Sequence, residues 1–258
     1  AYTERPDRFS AGVVEGRVGL LIDGLPLGWL LPGTLSQFFK TPQDKSQGWM
    51  AASALMVLRY LCMLITLFLP AVYIAAVTFH LEMLPTELAL SIIAAKQDVP
   101  FTTVFEVLLM LVAFEIIQEA GLRLPSSIGQ TVSILGGLVV GSAAVEARIV
   151  SPAVLIVVAV AGIAGYTMPS QDFAGALRIW RFGLAALASL AGMFGAAIGA
   201  LLLICHLASL ESFGVAYLTP FAANDGEQVE GHAVIRQPLP SVKLREAALK
   251  TQNRRNQR

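Results

Sequence analysis

Four polar side chains interrupt one long apolar stretch: Glu106, Glu115, Gln118 and Glu119, all between Phe101 and Ala120. At 100° per residue Glu106 and Glu115 point in opposite directions, whereas Glu115 and Glu119 share a face. A carboxylate in the middle of a bilayer-spanning helix costs about 2.5–3.5 kcal/mol on insertion scales, so it must face other helices, water or a cation. Such groups either line or flank an ion path or form a structural ion-pair network. Glu119 and Arg123, spaced i and i+4, can simply pair. Arg59, near the start of an earlier apolar run, either counters one of the glutamates or snorkels to the headgroups.

A second pattern follows it. Gln130, Ser133, Gly137 and Gly141 fall on one helical stripe. Close helix packing uses small residues at this spacing. A narrow pore uses the same face, with a few hydroxyl and amide groups and apolar rings, such as Val132 or Leu135, that gate by dewetting. Gly192, Gly195 and Gly199 repeat the small-residue theme without a polar group until His206, and read as packing. His80, Glu82 and Glu87 gather around a short segment, but one His and two carboxylates without a spaced partner make a weak metal set, and a solvated loop is the simpler reading. Cys62 and Cys205 both lie in apolar runs and read as small hydrophobes. No catalytic triad, zinc-protease, phosphate-loop or dinucleotide motif is present, so no catalytic residue, metal or cofactor is assigned.

These residues need elements to hold them. The 258-residue chain is 55% hydrophobic and 14% charged, with net charge +0. That balance suits a polytopic membrane protein and supplies no basic field for nucleic acid. Residues 1–48 are mixed in character, and Val18–Ile22 and Leu27–Leu31 read as two strands around the Asp23-Gly24 turn. Trp49 sits where an interfacial anchor belongs. A first span is expected over Ser53–Phe79, with a kink or a break at Pro70. Pro85–Ala95 is too short to cross about 30 Å of hydrocarbon and reads as a re-entrant or interfacial half-helix. Further spans are expected over Phe101–Ala120, Ile128–Val145 and from Pro152 to Met168. Residues 172–183 read as an interfacial amphipathic helix, with Phe173, Leu177, Trp180 and Leu184 on one face. A last span follows over Leu184–Leu207, and residues 221–258 form a polar, basic tail expected to be disordered.

The expectation is thus an all-α polytopic membrane protein with about five transmembrane helices, a half-helix and an interfacial helix. Its parts are the end of a soluble region (1–48), the helical domain (49–220) and the tail (221–258). Arg123, Arg178 and Arg181 fall in loops on one side, which matches a cytoplasmic start. The basic tail asks for the same side, and an odd number of spans conflicts with that. The chain begins at Ala1 with no signal-peptide pattern, and its true start is expected upstream.

Several stretches in order carry a resemblance. They are Glu15-Gly16-Arg17-Val18 with Asp23-Gly24, Leu58-Arg59-Tyr60, Thr78-Phe79-His80, Pro85-Thr86-Glu87-Leu88, and the run from Glu119 to Pro125. Ile128-Gly129-Gln130, His206 to Leu210, and Ser212-Phe213-Gly214 continue it. Together they resemble the A subunits of the GerA-type spore germinant receptors, from about Glu4 to Pro220. Leu81, Ala216 and Gln171-Asp172 depart from the pattern and put local loop geometry in doubt. The resemblance implies a multi-pass protein of the spore inner membrane, in oligomers proposed to be pentameric. It also implies a nutrient-gated cation channel that works with a permease-like B subunit and a lipoprotein C subunit. A secondary transporter and a non-conducting scaffold are the competing readings. The pore expectation rests on Gln130, Val132, Ser133, Gly137 and Gly141, with Glu106, Glu115 and Arg59 as buried or path-flanking charges.

Overall fold

The structure, a computed structural model, describes residues 2–123, 137, 139–219, 221, 234–236, 238 and 249. Gln130, Val132 and Ser133, and most of the tail, lie outside the described residues. The chain divides into two compact units. One comprises residues 1–61, 168–173 and 203–258; the other comprises residues 62–167 and 174–202.

The first unit is built on a small sheet. β2 (Val18–Leu21) pairs antiparallel with β3 (Gly28–Leu31), and β3 pairs antiparallel with β1 (Tyr2–Thr3), giving the order β1-β3-β2. The register sets Leu21 opposite Gly28 and Val18 opposite Leu31. Helix α1 (Pro6–Val14) opens with Pro at its first position, where the missing N–H costs nothing, and lays Phe9 against the sheet at Gly28. A 3-10 turn (Leu35–Phe39) and the short helix α2 (Pro42–Ser46) follow. Phe39 is fully buried; its ring stacks on Tyr60 at 4.0 Å and meets Phe173 edge-on at 5.3 Å. A hairpin of β4 (Glu211–Ser212) and β5 (Val215–Ala216) closes the unit, with Ser212 Oγ accepting from the Gly33 N–H and the Tyr217 carbonyl accepting from the Leu35 N–H. Burial of the Tyr217 ring pushes its hydroxyl up to about 12.

The second unit is a helical bundle. Helix α3 (Trp49–Phe79), which begins in the first unit, continues as one helix through Pro70, so of the kink or break expected there the break does not occur. Pro70 removes the donor to the Thr66 carbonyl one turn earlier. Nearby, the Thr66 hydroxyl donates to the Cys62 carbonyl at 2.8 Å and keeps this buried stretch hydrogen-bonded. α4 (Thr86–Lys96) is the short helix expected there, about 16 Å long at 1.5 Å per residue. α5 (Thr103–Arg123) and α6 (Pro152–Gly165) run parallel: Glu106 meets Ser151 at their starts, and Phe114 and Gln118 approach Gly162 further along. α3 runs antiparallel to α6, with Thr66 beside Gly165. Gly137 faces Phe114, and the buried Gly141 faces Leu155, so the helical residues 139–146 pass along both α5 and α6.

The largest departure concerns α7 (Gln171–Ser209). No boundary separates an interfacial helix ending at 183 from a span starting at 184; the helix runs straight through. A single Gly183 with open space around it costs only about 1 kcal/mol of helix propensity, too little to end the helix. The break falls instead at Ala191-Gly192, inside what was expected to be one span. Gly192 adopts φ +60°, a conformation that only glycine reaches without strain. Beyond it the chain folds back. A Cβ at Gly199 would sit 2.6 Å from Leu184 Cδ2, and one at Gly195 would collide with the Leu187 carbonyl oxygen. In a straight helix residues 184 and 199 would stand about 22 Å apart. α7 is therefore two antiparallel arms, residues 171–190 and 193–209, joined at Gly192, with the glycine stripe as the seam between them.

Among the described residues two helices, α3 and α7, are long and apolar enough to cross a membrane, with α6 a shorter apolar helix. Five such spans are not found there: α5 carries three carboxylates and an arginine, and the stretch 124–136 is not described. Large apolar side chains stand exposed along both arms of α7, including Ile179, Leu190, Phe194 and Leu201. A contiguous apolar surface of this kind needs lipid or protein against it.

Candidate functional site

The two glutamates of α5 sit in two separate charge clusters of the helical unit. Glu106 is fully buried. Its Oε2 accepts the backbone N–H of Ser151 at 2.8 Å, just before the first turn of α6, and so joins the start of α5 to the start of α6. Peptide dipoles favour a negative charge at that end of a helix. Lys96, the last residue of α4, places its Nζ 3.7 Å from Glu106 Oε1 and donates to the Thr103 hydroxyl. Oε1 itself accepts no hydrogen bond among the described residues. Tyr73 of α3 lies against Ser151 and Glu106, so four helices converge on one carboxylate.

Glu115, two and a half turns along α5, points the other way, as 100° per residue requires. Its Oε1 accepts from Arg178 Nη1 at 2.7 Å and its Oε2 from Arg181 Nη2 at 3.4 Å. Arg181 is 2% exposed, and its Nε has no partner among the described residues. Arg178 and Arg181 were read from the sequence only as markers of sidedness. Their spacing on one helix face opposite an isolated carboxylate is the signal that could have placed them here.

Arg59 counters neither glutamate, nor does it snorkel. It lies in the first unit, where its guanidinium forks onto Asp44, Nη1 to Oδ2 at 2.7 Å and Nη2 to Oδ1 at 3.0 Å, while Nη1 also donates to the Phe39 carbonyl at 2.7 Å. Bidentate pairs of this kind fix geometry as well as charge. Asp44 in turn accepts the Thr41 N–H at 2.7 Å. Burial pushes the Asp44 carboxyl up, but the hydrogen bonds from Arg59 and Thr41 outweigh it and hold the group below its ordinary value. Sequence reading missed Asp44 because it sits in a polar stretch where one more acid carries no pattern.

A cleft of about 240 Å³ lies in the first unit between α1, β3 and the 3-10 turn, lined by Tyr2, Arg8, Arg17, Gln37, Lys40 and Thr41, with Asp7 and Glu15 at its wall. Burial lowers the Arg8 pKa. Arg17 is buried and donates to the Pro32 carbonyl at 2.6 Å. His80 meets Glu82 at 3.5 Å on an exposed turn, and no group of three potential metal ligands occurs among the described residues. Cys62 is buried and Cys205 exposed, both as free thiols.

The helices, their exposed apolar faces and their internal ion pairs describe a membrane-associated helical protein. The profile of the Bacillus/Clostridium GerA spore germination protein family matches residues 1–248, and the chain belongs to that family. It is similar to Spore germination protein B1 of Bacillus subtilis (strain 168), 44% identical over 243 residues, which cover 94% of this chain and 50% of that protein. It is also similar to the Uncharacterized membrane protein YfkQ of the same organism, 41% identical over 229 residues, covering 89% of this chain and 45% of that one. Spore germination protein A1, from the same strain, is 42% identical over 218 residues, covering 84% and 45%. The chain spans about half the length of the curated relatives it matches. No solved structure matches it.

Proposed function

We propose that this chain is the membrane part of a germinant-receptor A subunit in the spore inner membrane, and that copies of it assemble, in the proposed pentamer, around a cation path opened by nutrient. The observation that carries the conduction reading is Glu106, a fully buried carboxylate in an apolar helical unit with one oxygen left without a hydrogen bond. A charge retained at that cost is a default mark of an ion route. The permease-like B subunit and the lipoprotein C subunit act as partners. Nutrient bound at a partner shifts a closed–open equilibrium by binding the two states with different affinity.

The path itself is assigned to the stripe of Gln130 and Ser133, with Val132 as an apolar gating ring. Gly137 and Gly141 continue it to the seam with α5 and α6. Counting α3, α5, the span expected from the sequence over 128–145, α6 and the two arms of α7 gives six crossings, with α4 as the half-helix. An even number puts residues 1–48 and the basic tail on one side, and removes the conflict that five spans created. The break at Gly192 supports a channel subunit over a transporter: it reverses the chain, whereas a transporter uses discontinuous helices to build a midplane binding site.

The test is potassium release from spores whose intact receptor carries Ser133→Trp or Val132→Ala. Block of ion release by Trp with normal assembly, or nutrient-independent leak with Ala, is expected. Wild-type behaviour of both variants with normal assembly refutes the pore assignment. Altered assembly with unchanged ion release identifies a scaffold instead.

A further inference from the structure

Among the described residues the Glu115 cluster is not neutral. Two guanidinium groups meet one carboxylate, and Glu115 is the carboxylate that touches either arginine among the described residues. Each arginine spends one nitrogen on Glu115, and the buried Nε of Arg181 donates to nothing among the described residues. A guanidinium carries five N–H donors, so most of this donor set is free for a second anion. In an apolar setting an uncompensated positive charge is costly enough to recruit one.

The position narrows the choice of anion. Arg178 and Arg181 lie seven and ten residues into the first arm of α7, about 10 and 15 Å from its start. In the membrane placement proposed above, arginine side chains at these positions snorkel toward the headgroups. The cluster opens to the surface through Glu115 and Arg178, whose side chains are 31% and 17% exposed. Their sequence neighbours Ile116 and Ile179 are among the most exposed apolar residues of the unit. A charged opening beside exposed aliphatic groups suits an amphiphile, with phosphate on the guanidiniums and chains along the isoleucines. Arginine forks match phosphate oxygens, and basic pockets between membrane helices hold lipid headgroups.

We propose that Arg178 and Arg181 form a binding site for the phosphodiester of an anionic phospholipid, with Glu115 offsetting one of the two guanidinium charges and competing with the phosphate for them. The site rests on the membrane placement argued above and is independent of conduction.

The experiment uses the full-length subunit purified in detergent, read by native mass spectrometry and thermal unfolding. It is presented in turn with phosphatidylglycerol, phosphatidylcholine and sodium phosphate. Phosphatidylglycerol is expected to stay bound and raise the unfolding temperature, with at least tenfold preference over phosphatidylcholine. Arg178→Gln is expected to erase that preference. Glu115→Gln, which removes the competing carboxylate, is expected to keep or tighten it, whereas a purely structural ion pair has no such effect. Equal response to both lipids, or preference unchanged in Arg178→Gln, overturns the site. The same shift with sodium phosphate alone overturns the lipid as its source. If the membrane placement itself fails, the protein will not enter vesicles of either lipid; if only this site fails, it will enter both equally.

Discussion

Glu106 gives the sharpest energetic test. Substituting Glu106→Ala leaves the Ser151 N–H and the Lys96 ammonium facing a void at the junction of α4, α5 and α6. A hydrogen bond to a charged acceptor contributes about 1.5–3 kcal/mol when its partner is left unsatisfied. The ion pair adds little: Lys96 is 30% exposed and can turn to solvent, so its share is about 0.5 kcal/mol. The expected loss is about 2–3.5 kcal/mol in all. Glu106→Gln keeps an acceptor for Ser151 and loses only the charge, so it should cost about 1 kcal/mol. The full-length subunit in detergent, unfolded by denaturant and followed by tryptophan fluorescence, reports both values. Equal losses for Ala and Gln would show that the charge and not the hydrogen bond joins these helices. A silent Ala variant would refute the latch altogether. The double variant Lys96→Met with Glu106→Leu adds a further check: it removes both charges but still orphans the Ser151 N–H, so it should keep a cost of about 1–3 kcal/mol.

Two further outcomes follow from the packing and the charges. Gly195→Ala drives a methyl into the Leu187 carbonyl and should destabilise the α7 hairpin by about 1–3 kcal/mol, whereas Gly183→Ala, with open space around it, should stabilise by up to about 1 kcal/mol; thermal melts of the two variants moving in the same direction would refute the hairpin. Asp44 has a lowered pKa when folded, so its contribution is complete above the unfolded value near about 3.9 and disappears as pH falls through the lower folded value. Asp44→Asn should therefore cost stability at neutral pH and converge with the parent under acid, as read by unfolding at a series of pH values; a gap that persists below about pH 3 would assign the loss to packing and not to charge.

What the sequence made legible was whatever depends on local period and turn chemistry. The strand pair around Asp23-Gly24 follows from a turn dipeptide between two apolar runs, and α4 from Pro85 ahead of Glu87 in a first turn. The opposed directions of Glu106 and Glu115 follow from helical geometry alone. Their partners did not follow, because Ser151, Lys96, Arg178 and Arg181 are brought to them by tertiary packing across 45, 10, 63 and 66 positions. Arg59 shows the same limit from the other side: its setting in an apolar helix suggested a membrane role, and only the fold reveals that Asp44 lies within reach.

The reversal at Gly192 was hidden for a different reason. Gly192, Gly195 and Gly199 look the same whether they pack one helix against a neighbour or two arms of one helix against each other. The conformation of a single residue separates the two cases, and composition does not encode it. In the six-crossing arrangement proposed above, a hairpin in place of one span changes the parity of the chain. That proposed arrangement assigns Arg178, Arg181 and the basic tail to one side. The lipid site proposed for the Glu115 cluster lies near that side, where anionic headgroups would meet it. Retention of phosphatidylglycerol by the arginine pair would therefore also bear on the sidedness that the reversal implies.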